Sequence, residues 1–204
     1  MHNLACDPST LAGPIDDRVV AELSKRYPLD PDFLACMATC HGGQPAIGTV
    51  KVNGQTYRVA EFLTLLDEQS KLEGDFRPHF ERTGTDERVV KSIDSVMNTD
   101  GNTYVALFSD IVPFAATETG MCLDRGYVDL FCFDYRDQPT IPKVVLWESH
   151  NAMTAYFEWE SLPFDQQFGD DDEFLNVNWD SFLVSIADSF RDFVNKLQPN
   201  SVNS

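Results

Sequence analysis

Positive charge is the scarcest feature of this 204-residue sequence. It holds 15 lysines and arginines against 33 aspartates and glutamates, which gives a formal net charge of −18 at neutral pH. An anionic surface repels phosphates, so this charge excludes proteins that grip a nucleic-acid backbone. Binding to anionic membranes is disfavoured for the same reason. The charge is compatible with a basic protein as partner.

Long apolar runs are lacking as well. No stretch approaches the roughly 20 apolar residues that a membrane-spanning helix needs. The N-terminus has neither the basic start nor the apolar segment of a signal peptide. The five cysteines are odd in number and scattered, several of them in apolar segments where a thiol acts as a small hydrophobe. We therefore expect a reduced, cytoplasmic protein.

Length and apolar content predict one folded domain. The apolar share is 43%, close to the roughly 45–50% typical of folded domains, and a chain of this length can bury a sizeable core. Residues 1–15 hold two prolines and a glycine and fit an N-terminal lead-in. We predict a single domain over residues 16–198 and a polar tail over residues 199–204.

Capping signals predict the helices. Asp16 or Asp17 fits the start of a helix that ends near Tyr27, and Asp30-Pro31 starts a second helix that ends at His41-Gly42-Gly43. The longest apolar stripe has i, i+4 and i+8 spacing and predicts a helix from Asp180 to about Leu197. Shorter patterns predict helices over residues 60–68 and 87–97.

Turn signals predict the strands. Asn53-Gly54 favours a type I′ turn and joins strands over residues 47–52 and 55–59 in a hairpin. Further strands are predicted over residues 103–108, 120–124, 128–135 and 143–147, and residues 154–159 also fit a strand. Because the spacers between them are short, neighbouring strands are expected to be antiparallel. The order of elements indicates an α+β fold.

Residues suited to catalysis or metal binding are few. Cys36, Cys40 and His41 lack a fourth zinc ligand, and there is no phosphate-binding glycine loop. Glu158 with Glu160, or Glu148 with His150, would share a strand face and suit a small carboxylate-based hydrolase. Such pairs arise by chance in so acidic a chain. We expect no metal and no cofactor.

A stretch without any lysine or arginine, between Lys143 and Arg191, is the best functional candidate. It holds ten acids and ten aromatic residues, including all three tryptophans. Aromatic residues are enriched at interface hot spots, and an acidic rim attracts a basic partner, although such acids also serve as a solubilising surface. The predicted partner-binding residues are Glu148, Glu158, Trp159, Glu160, Asp165, Phe168, Asp170, Asp171, Asp172 and Glu173.

Four blocks in the right order resemble the Smi1/Knr4 family, also called the SUKH superfamily. They are residues 27–43 with His41-Gly42-Gly43, residues 111–124 with a Pro-Phe pair, residues 128–134, and residues 187–193 with an Ala-x-Ser-Phe-x-x-Phe pattern. His41 stands where the family usually has asparagine. Residues 70–100 and 149–179 resemble insertions. The structural landmarks are Gly42, Gly43, Pro113, Phe114, Asp124, Ser189, Phe190 and Phe193.

The resemblance implies a mainly antiparallel β-sheet flanked by N-terminal and C-terminal helices, and a role without catalysis. Most bacterial members are immunity proteins that bind and neutralise a cognate toxin domain, often a nuclease, whereas fungal members are scaffold or regulatory proteins. A nuclease must be basic to hold phosphates, and an acidic inhibitor is attracted to it. We predict an immunity protein; a scaffold module, a hydrolase and a DNA mimic are the alternatives.

Overall fold

Two helices open the part of the chain that the structure, a computed structural model, describes: residues 4–65, 93, 97, 110–117, 129–163 and 177–199. After one 3-10 turn over Pro8–Thr10, α1 spans Asp17–Arg26 and α2 spans Pro31–Cys40. The Asp16 carboxylate accepts the Arg18 amide, and the Asp30 carboxylate accepts the Phe33 amide. Both predicted N-caps are confirmed.

An antiparallel sheet follows the helices. Its strands are β1 Ile47–Val52, β2 Gln55–Phe62, β3 Ile111–Thr117, β4 Leu130–Asp134, β5 Lys143–Trp147, β6 Leu183–Ala187 and β7 Gln198–Pro199. They lie in the order β6-β5-β4-β3-β2-β1-β7. Asn53 and Gly54 both have positive φ, 49° and 83°, as a type I′ turn requires, so the predicted hairpin is confirmed. The predicted α+β class is confirmed too.

The core lies where helices cover the sheet. Two further helices are α3 over Ser149–Glu160 and α4 over Phe190–Lys196, and a second 3-10 turn spans Trp179–Phe182. Phe114 of β3 stacks on Phe133 of β4 with ring centroids 4.4 Å apart. Phe33 of α2 and Phe190 of α4 pack edge-on against this pair. Fully buried rings therefore join both helices to the sheet.

The predicted helix over residues 60–68 is wrong for its described part. β2 continues to Phe62, and the Leu63 amide donates to the Phe114 carbonyl at 2.8 Å. Phe62, Leu63 and Leu65 are all buried. A continuous apolar run of this kind suits a strand covered on both faces as well as a helix, and pairing with β3 decides between them.

The predicted helix from Asp180 to Leu197 is wrong in its first half. Residues 183–187 form β6, which pairs with β5, and the helix proper begins only after Ser189. The Ser189 hydroxyl accepts the Asp192 amide, which makes Ser189 the N-cap that the sequence reading assigned to Asp180. The predicted apolar stripe therefore runs through three elements: the 3-10 turn over Trp179–Phe182, β6 and α4.

Some predicted elements lie outside the described residues. These are the strands over residues 103–108 and 120–124 and most of the helix over residues 87–97, of which the described Ile93 and Met97 are helical. Conversely, the sequence pattern does not predict β3, although Pro113 and Phe114 within it are landmarks of the family resemblance. A register shift occurs between Pro113 and Ala115, where proline leaves no amide to pair.

The cysteines differ from expectation. Cys6 and Cys40 form a disulfide, so the prediction of a fully reduced chain is wrong for this pair. Cys36 and Cys132 are free and buried, as predicted for small apolar side chains. Within the described residues, no helix is long and apolar enough to cross a membrane.

Candidate functional site: an acidic and aromatic helix

The acid-rich stretch begins with a helix, where a strand over residues 154–159 was predicted. Ala152, Met153 and Trp159 are buried at i, i+1 and i+7, which is a helical spacing that the sequence reading missed. A helix turns by about 100° per residue, so the Glu158 and Glu160 side chains point about 160° apart and do not form the carboxylate pair that a strand would give. Glu148 precedes the helix and His150 lies in its first turn, so the paired strand faces proposed for a hydrolase do not exist.

The outer face of α3 is exposed and carries a large aromatic side chain. It comprises His150, Asn151, Thr154, Phe157, Glu158 and Glu160. Phe157 is 50% exposed. Helical geometry places Glu158 and Glu160 on opposite sides of Phe157. The face therefore presents an apolar ring between two carboxylates, which is the combination expected of a contact surface for a basic partner.

The inner face of α3 rests on aromatic side chains. Trp159 is only 6% exposed, and its ring centroid lies 5.3 Å from that of Tyr156. Below the helix, Phe182 packs against both Trp147 and Trp179. All three tryptophans are therefore buried. Trp159, predicted as a contact residue, supports the helix from inside, and Phe157 is the exposed aromatic residue of α3.

The first turn of α3 is held by a carboxylate from another part of the chain. Glu148 occupies the N-cap position but makes no side-chain cap bond. Instead, the Asp129 carboxylate accepts the backbone amides of Ser149 and His150. The Asp129 carbonyl in turn accepts the Thr117 amide at the end of β3. The start of α3 is thereby fixed to the sheet through Asp129.

Two carboxylates and a tyrosine meet at this end of the helix. Burial raises the pKa of Asp129 to about 6, and the charge of Glu148 adds to the rise, against the hydrogen bonds from the two amides. Burial, followed by the charges of Glu148 and Asp129, also raises the pKa of Tyr57 on β2. The Tyr57 hydroxyl donates to Gln55 at 2.6 Å. This end of α3 therefore carries concentrated negative charge.

The two outer edges formed by the described strands carry features that disfavour addition of another strand. At the β6 edge, the register is broken beside β5, and the Lys196 ammonium donates to the Ile186 carbonyl at 3.0 Å. At the other edge, β7 has two residues and ends in Pro199, which has no amide to donate. Natural sheets use charge, bulges and proline in this way. Strand addition is thus disfavoured as a mode of partner binding.

The structure brings together part of the predicted contact set. Glu148, Glu158 and Glu160 lie on or beside α3, with Glu148 half-buried and the other two exposed. Phe157 is not among the predicted contact residues, because it lies between the two glutamates only when residues 149–160 form a helix. The remaining predicted contact residues lie outside the described residues: Asp165, Phe168, Asp170, Asp171, Asp172 and Glu173. Asp124 among the landmarks does so too.

Metal binding finds no support in the described part of the chain. No group of three or more histidine, cysteine or acidic side chains there is placed to hold an ion. Of the zinc candidates considered above, Cys40 is in the disulfide. His41 is buried, with Nδ1 3.1 Å from the Gly13 carbonyl, while Nε2 accepts the Leu65 amide. These two side chains are committed to structural contacts.

Comparison with known proteins identifies the family. The chain belongs to the SMI1-KNR4 cell-wall family (SUKH_6), which matches residues 20–163. No curated protein and no solved structure gives a significant match. The matched range includes residues 20–26 of α1 and the whole of α2 and α3, and it ends three residues after Glu160.

Proposed function

We propose that this member of the SMI1-KNR4 cell-wall family is a non-catalytic immunity protein that binds and neutralises a cognate basic toxin domain. SUKH domains are typically immunity proteins for polymorphic toxins. The observation that carries the proposal is the half-exposed Phe157 between Glu158 and Glu160 on the outer face of α3. We place this action in the cytoplasm, where the toxin would reach its target.

Two separate physical effects support binding at this surface, burial of an aromatic ring and electrostatic attraction. An exposed aromatic ring supplies apolar area that a partner can bury, and such rings dominate the binding energy of many interfaces. The surrounding carboxylates add little affinity of their own at an exposed rim, but they accelerate encounter with a basic surface and orient it. A nuclease active site has such a surface because it must hold phosphates.

The proposed contact surface continues at both ends of α3. At its start, Glu148 and Asp129 concentrate negative charge beside the first turn. Beyond its end, residues 165–173 supply the aromatic and acidic side chains predicted from the sequence. We propose that Asp165, Phe168, Asp170, Asp171, Asp172 and Glu173 contact the partner together with the outer face of α3.

A growth-rescue experiment tests this proposal. The protein is co-expressed with the toxin domain encoded beside it, first as wild type and then with Glu158→Lys and Glu160→Lys combined. A matched control carries Asp17→Lys and Glu22→Lys, two exposed acids on α1. We expect wild type and the α1 control to restore growth, and the α3 variant to fail because its charge now repels a basic toxin.

Pull-down of the toxin domain by each variant separates binding from expression. Protection and pull-down by the α3 variant at the wild-type level would contradict the proposed surface. If the wild-type protein neither binds nor protects against the toxin domain, the immunity function itself is wrong.

A further inference from the structure

An N-terminal strap, defined here as residues 4–13, crosses the end of α2 and the turn after it. Four hydrogen bonds of 2.9 Å hold the strap in place. The amides of Asp7 and Ala12 donate to the chain below, and the strap's Ala5 carbonyl and Thr10 hydroxyl accept from it. Their partners are the carbonyls of Gln44 and His41 and the amides of Ala46 and Gln44.

The glycine pair after α2 forms the seat of this strap. Gly42 has a φ of +66°, and a side chain there would lie 2.9 Å from the Ala12 Cβ. A side chain at Gly43 would lie 2.7 Å from the Leu11 Cδ2 and 3.1 Å from the Cys6 Cβ. Glycine at these positions therefore does more than end the helix, because it lets the strap approach the backbone.

The strap is also tied to α2 by a covalent bond. Cys6 is half-buried within the strap, whereas its disulfide partner Cys40 is fully buried at the last position of α2. The free Cys36 lies one helical turn before Cys40. Burial raises the pKa of the Cys36 thiol to about 11, so it is protonated at neutral pH and does not attack the disulfide.

His41 connects the strap to Leu65, three residues after the end of β2. Its Nε2 accepts the Leu65 amide at 2.8 Å, so the imidazole must carry its proton on Nδ1, and Nδ1 donates to the Gly13 carbonyl. The ring is buried. Movement of Gly13 therefore removes a hydrogen-bond partner from a buried side chain that also fixes Leu65.

From this geometry we propose that the Cys6–Cys40 disulfide is a redox latch that keeps the N-terminal strap on its Gly42-Gly43 seat and that a dithiol reductant opens it. With the latch closed, the strap cannot separate from α2. With the latch open, it is held by hydrogen bonds and side-chain packing alone, and it exchanges between seated and released positions.

The chemical step is an ordinary two-electron thiol exchange. A thiolate of the reductant attacks the Cys6 Sγ, which is the more accessible sulfur, and the Cys40 Sγ leaves and takes up a proton. The second thiol of the reductant then displaces the Cys6 Sγ. The chain gains two thiols, and the reductant becomes an intramolecular disulfide. Departure of a thiolate at a helix C-terminus is unfavourable, so this opening should be slow.

Hydrogen exchange of the full chain, before and after treatment with dithiothreitol, tests the latch. We expect the Ala12 and Leu65 amides to exchange at least about ten-fold faster after reduction, while buried amides of β4 keep their rates. Cys6→Ser should reproduce the reduced behaviour without dithiothreitol. Cys36→Ala, which leaves the disulfide intact, should respond to reduction as the wild type does.

Three results would overturn the proposal. One is alkylation of Cys6 and Cys40 in protein that has seen no reductant, because the latch would then not exist. Another is unchanged exchange at Ala12 and Leu65 once both cysteines are reduced. The third is equal acceleration in the strap and in β4, because the disulfide would then stabilise the whole fold and not the strap in particular.

Discussion

α2 and α3 are helices of ten and twelve residues with opposite kinds of support. α2 carries its own cap, Asp30, starts with proline and ends at a glycine with positive φ. α3 makes no cap bond from its own N-cap residue and depends on Asp129, which lies 19 positions earlier than Glu148 in the chain. α2 buries Phe33 in the core, whereas α3 exposes Phe157.

The ends of α2 are therefore specified by its own sequence, whereas the start of α3 is specified by a residue that the fold brings from elsewhere in the chain. The signals of α2 lie within its own sequence, and they position aromatic side chains of the core. α3 is held from outside and leaves its outer face uncovered by any described residue. In line with the proposed function, we propose that α2 serves stability and α3 serves recognition, and the following variants test that contrast.

Alanine at Phe33 and at Phe157 should give the largest difference in the free energy of unfolding between the two helices. Phe33 contacts Phe114, Phe133 and Phe190, so Phe33→Ala leaves a cavity among these rings. We expect it to lower the free energy of unfolding by about 3–5 kcal/mol. Phe157→Ala should change it by less than about 1 kcal/mol because the ring is half exposed. Chemical denaturation measures both values, and similar losses for the two variants would remove the contrast.

Asparagine at Asp129 tests the external cap of α3. The native pKa of Asp129 is raised to about 6 from an ordinary value near 3.8, so the native state binds this proton more tightly than the unfolded state does. This tighter proton binding stabilises the native state fully below about pH 4, and the stabilisation is lost as the pH rises to about 6. Asparagine keeps a cap oxygen but does not titrate.

We accordingly expect Asp129→Asn to be more stable than wild type at pH 7, by up to about 2 kcal/mol, with the difference shrinking towards pH 4. Denaturation of both proteins across this pH range measures the difference. A difference that stays constant with pH would show that Asp129 titrates alike in both states, and the account of this end of α3 would have to be abandoned.

Alanine at the two N-cap positions should give the smallest difference in the free energy of unfolding between the two helices. Asp30→Ala removes the acceptor of the Phe33 amide and should cost about 1 kcal/mol. Glu148→Ala removes no cap bond and relieves repulsion with Asp129, so it should be neutral or slightly stabilising. Urea denaturation measures the two variants. An equal loss for both would mean that α3 is capped by its own sequence after all.

The same contrast explains what could be predicted from the sequence. Asp30-Pro31 and Gly42-Gly43 bound α2, and Asn53-Gly54 turns the hairpin, because each of these signals acts on its own neighbours in the chain. The order of family landmarks then indicated the sheet as a whole. These elements were predicted correctly.

The failures occur where distant contacts decide. Ile186 shares a helical stripe with Phe182 and Phe190, yet pairing with β5 makes residues 183–187 a strand. Residues 154–159 fit a strand by their sequence, yet they belong to α3, whose buried positions follow a helical period. The cysteine count gave no hint of the pairing of Cys6 with Cys40, which depends on where the strap folds. Phe157 could be recognised as exposed only after α3 had been placed.

The most direct test of the central claim is the affinity of the Phe157→Ser variant for the toxin domain, measured by calorimetry on protein of wild-type stability. Ile141→Ser is the matched control, because Ile141 is also about half exposed but lies in the loop between β4 and β5. We predict that Phe157→Ser raises Kd at least about ten-fold and that Ile141→Ser leaves it within about two-fold. An unchanged Kd for Phe157→Ser, or an equal loss in both variants, would contradict the assignment of recognition to α3.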